Sequence, residues 1–469
     1  MSRNNELVKN TVILTVGKIC TQFITFLLLP IYTSVLLAEE YGLIDLFNSC
    51  VMLLVPIISL QFESGLFRFL LDVRGQREKQ TELVSTVLIV NIVQILIFLF
   101  LSVYICRYIF VDYILFLLLD VVISIFFNML LQFSRGIGNN KVYACASFIV
   151  AACTVALNIL LIIYMHLGIV GMLLATCMGK ALACVYIIFA LQVWNYIKIR
   201  TFNRNVLGQI CKYSIPLIPN QLSWWIIGMS DRIVVSWCLG VSKNGIYAVA
   251  NKFSALYITI YNIFHMAWVE NVALYYKDKD NEKFVEDTIN IVISLFFSIC
   301  LFVIAIMPFL FDFFVADDYA EAYLHIPILM IAALFQVISG LLSVIYIALG
   351  KTKEIAKTSL WTSIINFVVD VGLINNLGLY AASCSTLIAY FSMVIYRYLD
   401  VRKYINIRIF LKPLFLYVLL GVIIVITYYL RISTYCMLLL AGMVIIGSII
   451  NNKKSIRIIY NLLLEKMKR

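Results

Sequence analysis

Residues 83–106 read LVSTVLIVNIVQILIFLFLSVYIC, twenty-four positions without a charged side chain. One helical crossing of a bilayer takes about 20 apolar residues, so this stretch alone spans a membrane. Working outward from it, thirteen more apolar stretches appear. Spans are expected near 10–36, 42–70, 83–106, 110–134, 143–165, 168–193, 212–239, 245–275, 286–311, 322–349, 355–375, 378–400, 413–430 and 434–450. A transmembrane β-barrel would instead alternate in segments of about ten residues. With 63% hydrophobic residues, 13% charged residues and a mean hydropathy of +0.99 over 469 residues, the chain reads as an all-α polytopic membrane protein.

The basic residues orient it. With the N-terminus placed in the cytoplasm, 27 of the 36 lysines and arginines fall in the segments assigned to the cytoplasm or at their edges. Arg107, Lys243 and Arg431 sit in external turns, as the positive-inside rule predicts. Both termini are expected to be cytoplasmic. The net charge of +11 is spread over short segments and the tail from Lys453 to Arg469, which suits anionic lipid rather than nucleic acid. The first apolar run continues to Leu37 with no small-residue cleavage site, so it reads as an uncleaved helix. The twelve cysteines, among them Cys20, Cys50, Cys145 and Cys177, form no CxxC pair and read as small buried apolar residues.

The chain repeats itself. Leu36, Gly42 and Asn48 recur as Leu239, Gly245 and Asn251. Gly138, Lys141, Ala144 and Ser147 recur as Gly350, Lys353, Ala356 and Ser359, and Leu167, Gly168, Thr176 and Tyr186 as Leu377, Gly378, Thr386 and Tyr396. Two parallel-repeat lobes of six helices, 1–209 and 210–405, are therefore expected to face a central cavity, the arrangement that supports alternating access. An accessory pair of helices and a basic tail fill 406–469. The loops are too short for a catalytic constellation, which argues against a membrane polymerase or ligase. Gly350-Lys351-Thr352 is not a P-loop, because Ile345 stands where that motif needs glycine. No cofactor is implied.

Six cations lie within spans: Lys18, Arg68, Lys180, Arg232, Lys252 and Arg397. Charges at that depth face a cavity or a partner. Lys18, Arg68, Arg232 and Lys252 fall on spans 1, 2, 7 and 8, equivalent pairs in the two lobes, and together favour an anionic cargo. Lys180 is expected to neutralise Asp120, and Arg397, near a cytoplasmic end, to snorkel. Asp45, Glu63 and Glu270 are candidates to balance the cavity cations. A second constellation is acidic: Asn366 and Asp370 share a face of span 11, Thr386 lies on the antiparallel span 12, and Asp231 adds a carboxylate on span 7. Oxygen ligands of this kind suit Na⁺, and the carboxylates suit H⁺ equally. The position matching Asp370 in the first lobe is Asn158, so one coupling site, in the second lobe, is expected. Pro216 and Pro219 mark either a bending point or a helix start. Trp224, Trp225 and Trp268 suit sugar stacking or ordinary packing.

The run from Tyr213 to Lys252 carries Pro216-Leu-Ile-Pro219-Asn220, Ser223-Trp224-Trp225, Asp231-Arg232, Leu239-Gly240 and Gly245-Ile-Tyr247-Ala-Val-Ala-Asn-Lys252. It resembles the polysaccharide transporter family of flippases, in the superfamily that also holds multidrug and toxin extruders and the lipid II flippase. The resemblance implies translocation of undecaprenyl-pyrophosphate-linked oligosaccharide repeat units across a bacterial inner membrane for capsule, exopolysaccharide or O-antigen assembly. It also implies coupling to inward Na⁺ or H⁺ movement, with glycosyltransferases and a polymerase as pathway partners. A lipid II flippase has similar charge chemistry. A multidrug extruder would need an acidic, aromatic cavity.

Overall fold

The computed structural model describes residues 26–106, 113–275, 281–405, 408, 411–432 and 434–451. Lys18 and Arg107 lie outside them, as does the basic tail. All regular structure among the described residues is helical. The chain forms two compact units, 1–236 and 237–469.

The first unit begins with α1 (Leu29–Val35) and α2 (Ala38–Ile58). Glu40 reaches back to accept the Leu37 backbone N–H at 3.0 Å, which satisfies one orphan donor at the start of α2. The expected span 42–70 is not one helix. Pro56 removes a backbone donor inside α2, and Leu60 and Gln61 then adopt φ of 51° and 57° before α3 (Phe62–Asp72) resumes. A left-handed turn at two consecutive non-glycine residues is costly, and it turns the chain out of the α2 axis.

The opening stretch lies in α4 (Arg77–Cys106), a 30-residue helix. At 1.5 Å per residue it is about 45 Å long, so its first turns extend past a hydrocarbon layer of about 30 Å. That is where Arg77, Glu78, Lys79 and Glu82 sit. Then follow α5 (Ile114–Gly136), α6 (Asn140–Asn158), which continues as a π-turn over Ile159–Tyr164, and α7 (Gly168–Leu191). Helices α5 and α7 pack together, as do α6 and α7. Two 3-10 turns, Val193–Tyr196 and Ile199–Thr201, lead to α8 (Arg204–Ser214). A third at Ile215–Leu217 precedes α9 (Ile218–Cys238), so Pro216 and Pro219 mark a helix junction and start. Phe62, Leu66, Leu70, Phe133 and Ile210, all buried, form part of this unit's core.

The second unit holds α10 (Val241–Tyr275), α11 (Asn281–Phe314), α12 (Ala322–Ala348), α13 (Thr352–Leu377), α14 (Leu379–Val401), α15 (Leu411–Tyr429) and α16 (Thr434–Asn451). Helix α12 is its buried centre, packed against α10 and α14. Helices α15 and α16 dock on α11. Tyr417 stacks on Phe297 at 5.8 Å, and Tyr428 stacks on Tyr323 at 4.2 Å while donating to the Tyr323 carbonyl at 2.7 Å.

Among the described residues, nine helices are long and apolar enough to cross a membrane, and α15 and α16 hold shorter apolar stretches. Helices α9 and α10 occupy the expected spans 7 and 8 but are less apolar than those nine, because Asp231, Arg232, Lys252 and several amide side chains lie on them. Gly138 and Gly350, the glycines that the sequence comparison pairs, both adopt positive φ, +91° and +69°.

Candidate functional site

In the first unit, α2 and α9 bring a cation to a carboxylate. Arg232 Nε donates to Asp45 Oδ2 at 2.7 Å, and its Nη1 donates to the Gly228 carbonyl at 2.8 Å. Arg232 is 8% exposed, so the ion pair is held largely away from solvent. Asp45 thus balances Arg232, as expected of it. Trp225 Nε1 donates to the Ser49 carbonyl at 2.8 Å, one turn along α2 from Asp45, and so fixes the register of α9 on α2. Asp231, the next residue on α9, is buried and points about 100° away around the helix.

The boundary between the compact units falls in the last turn of α9, after Ser236. Repeat matching in the sequence divides the chain at 209/210, whereas the compact units place residues 218–236 of α9 in the first unit.

In the second unit, α13 carries Thr358, Thr362, Asn366 and Asp370 at four-residue intervals, all at most 3% exposed. This is one polar stripe down one helix face. Asn366 Nδ2 lies 3.4 Å from both Ser385 Oγ and Thr386 Oγ1 on α14. Asn366, Asp370 and Thr386 therefore belong to one hairpin, α13–Gly378–α14. Asp231 belongs to the other unit. Ser385 joins the group without having been singled out from sequence, although its place one residue before Thr386 was a usable signal.

The other end of the stripe holds Arg397, and here the snorkelling expectation fails. Arg397 is 1% exposed. Its Nε and Nη2 donate to Thr358 Oγ1 at 3.1 and 3.0 Å, Nη1 donates to the Ser339 carbonyl at 2.9 Å, and Nη2 lies 3.4 Å from Ser359 Oγ. Helix α14 packs on both α12 and α13, so this side chain points inward, where hydroxyls and a carbonyl replace water. Among the described residues it makes no ion pair.

The remaining cations differ. Lys180 Nζ donates to Asp120 at 2.6 Å and to Ser124 Oγ at 2.9 Å, the expected structural pair. Arg68 pairs with Asp72 one turn on at 2.6 Å, and both side chains are about half exposed. Lys252 is half-buried on α10. Glu63 accepts from Ser59 Oγ at 2.9 Å, across the break between α2 and α3. The Glu270 side chain lies outside the described residues. Asn158, the counterpart of Asp370, donates to the Tyr32 hydroxyl at 2.8 Å immediately before the π-turn.

Of the tryptophans, Trp224 is 39% exposed on α9, whereas Trp268 is buried and donates to the Leu341 carbonyl at 3.4 Å. Also absent from the sequence reading is His325, fully buried on α12, with Nδ1 3.1 Å from Ser383 Oγ and its ring 4.7 Å from that of Tyr380.

A family model described as "polysaccharide biosynthesis protein" matches residues 7–269, more than half of the chain, and a second described as "MatE" matches 216–371. An uncharacterized membrane protein of Methanocaldococcus jannaschii is 27% identical over 300 residues, 59% of this chain and 70% of that protein. The lipid II flippase MurJ in an inward closed conformation superposes with a TM-score of 0.74 at 16% identity, covering 95% of this chain and 100% of that one. An inward-facing multidrug resistance transporter of the MATE family superposes with a TM-score of 0.69 at 16% identity, covering 81% of this chain and 95% of that one. These likenesses give the fold: a polytopic helical membrane protein of MATE and MurJ type.

Proposed function

This chain belongs to the polysaccharide biosynthesis protein family, within the MATE-like flippase superfamily, and from that premise we propose that it flips undecaprenyl-pyrophosphate-linked oligosaccharide repeat units across the cytoplasmic membrane by alternating access. The observation that carries the reading is the inward-held Arg232 of α9, inside the segment that the family model matches. A cargo pyrophosphate competes with the Asp45 carboxylate for the Arg232 guanidinium, because each offers a pair of anionic oxygens that can accept from the planar fork of arginine N–H donors. The exchange releases the Asp45 carboxylate, which then needs water, a proton or another cation, because an unpaired buried charge is costly. Lys252, Arg68 and Lys18 are the further cations proposed for the pyrophosphate and any acidic sugars. The glycan occupies the aqueous path and the polyprenyl tail stays in lipid.

The polar stripe of α13 and α14 is the proposed coupling site. Asn366, Asp370 and Thr386 provide hard oxygen donors on one hairpin, and Asp231 is a further carboxylate proposed for coupling. A Na⁺ ion or proton bound there biases one conformation only through its differential affinity for the two. Lipid II is the second cargo to weigh, favoured by the superposition on MurJ. A multidrug cargo is disfavoured by the cationic residues.

The test is binding. Native mass spectrometry of the purified protein with undecaprenyl-pyrophosphate oligosaccharide, undecaprenyl phosphate and lipid II reports cargo class directly. Retention of the oligosaccharide lipid, weakened at least about tenfold by Arg232→Ala with the variant still folded, supports the proposal. Unchanged binding by Arg232→Ala, or preference for lipid II, contradicts it.

A further inference from the structure

The first unit has a recess that the proposed transport cycle does not use. It lies between α4, α5 and α7, holds about 410 Å³, and is lined by Leu88, Phe126, Met129, Leu130, Cys184 and Trp194, among others, all apolar. Its floor is firm: Met129, Leu130 and Val193 are at most 6% exposed. The lining runs from Ile123 to Leu130 on α5 and from Ala181 to Ile188 on α7. That is about 10 Å along each helix. At the deep end it stops level with the Lys180–Asp120 pair, whose residues precede Ala181 and Ile123.

The shallow end is bounded by the Val193–Tyr196 turn, which polar contacts fix to α4. Ser85 Oγ donates to the Tyr196 carbonyl at 3.3 Å and accepts the Lys198 backbone N–H at 2.9 Å. Thr86 Oγ1 accepts the Asn203 N–H at 3.2 Å. The Tyr196 ring meets Phe133 edge-on at 4.9 Å and lies 3.3 Å below the Arg77 guanidinium. This anchoring places Lys198 and Arg200, both exposed, directly after the turn that closes the recess. With Arg77, Lys79 and Arg204 they outnumber the two acids of the neighbouring α4 end, Glu78 and Glu82, and Glu82 is engaged by the Asn203 amide. Trp194, 49% exposed on the rim, has the amphipathic ring suited to the headgroup level of a bilayer.

We propose that this recess binds one anionic glycerophospholipid, with part of an acyl chain between α4, α5 and α7 and the phosphate against the Lys198–Arg200 segment. In a membrane the medium offered to an apolar recess is hydrocarbon. A basic segment beside such a recess selects anionic over zwitterionic headgroups. The short apolar length suits part of an acyl chain. The site is separate from the cargo cations, so it stands or falls independently of the transported substrate.

The test uses native mass spectrometry of the full-length protein with phosphatidylglycerol, phosphatidylcholine or undecaprenyl phosphate as probes. One phosphatidylglycerol is expected to remain bound, about tenfold or more tighter than phosphatidylcholine. Ala181→Trp, which fills the recess, should remove it, and the surface variant Lys198→Gln/Arg200→Gln should reduce phosphatidylglycerol to the phosphatidylcholine level. Equal binding of the two phospholipids, or no response to the charge variant, overturns the proposal. So does displacement of phosphatidylglycerol by equimolar undecaprenyl phosphate, which would assign the recess to the cargo.

Discussion

Arg232 and Arg397 are both arginines within membrane spans, and their surroundings divide their roles. Arg232 is matched by the Asp45 carboxylate, which a cargo anion replaces in the proposed cycle. Arg397 is matched by the Thr358 and Ser359 hydroxyls and the Ser339 carbonyl, a cradle that engages its donor fork and ties α14 to α12 and α13. Arg397→Lys, which keeps the charge but loses the planar fork, is therefore expected to cost about 1–3 kcal/mol, read as a fall in unfolding temperature of the solubilised protein. A variant as stable as wild type would show that the cradle is not structural. Lys180 offers the contrasting case. Removing it alone strands Asp120 and should cost about 3–5 kcal/mol, whereas Lys180→Met with Asp120→Leu should recover most of that. If the double variant is no better than the single, the pair has a role beyond neutralisation. Sequence gave the Lys180–Asp120 pairing and the Asp45 counter-charge because depth in a span limits the partners available. It missed the Arg397 cradle because closeness to a basic loop says how deep a residue lies, but not which way its helix face points.

At the scale of elements, the break after α2 is the clearest departure from the apolar pattern. Residues 42–70 are hydrophobic enough for one long helix, and Pro56 is the only local sign that it ends. Hydropathy does not register backbone conformation, so the left-handed pair Leu60–Gln61 was invisible to it. Gln61→Val places a β-branched residue at that positive φ and is predicted to destabilise the protein by about 1–2 kcal/mol, while Gln61→Gly should be nearly neutral. Thermal unfolding of the two variants checks this, and equal stability would argue that the turn relaxes freely. The α13–α14 hairpin was legible for the opposite reason. Its turn is short, so the four-residue spacing of Asn366 and Asp370 and the position of Thr386 sufficed to place them near each other. The contacts of α9 with α2 were not legible, because repeat matching records ancestry and does not report the packing that Trp225 and Arg232 make.

For the whole molecule, the apolar runs identified the helical membrane class, and the motif around α9 identified the family that the family model then matched. Spans 7 and 8 were recovered as helices even though their polar residues lower their hydropathy, since those residues are the ones proposed for cargo and coupling. The coupling proposal predicts that Asp370→Asn abolishes the dependence of transport on a Na⁺ or H⁺ gradient while leaving cargo binding within about twofold, because the cargo cations lie elsewhere on the chain. Persistent gradient dependence in that variant would place coupling outside the α13–α14 hairpin. The most direct test of the central claim is translocation of an undecaprenyl-pyrophosphate oligosaccharide in proteoliposomes, scored by glycan accessible at the opposite face. The account predicts transport by wild type and a loss of at least about tenfold in Arg232→Ala with folding intact. Equal transport by the two proteins, or none by a folded wild type, would contradict it.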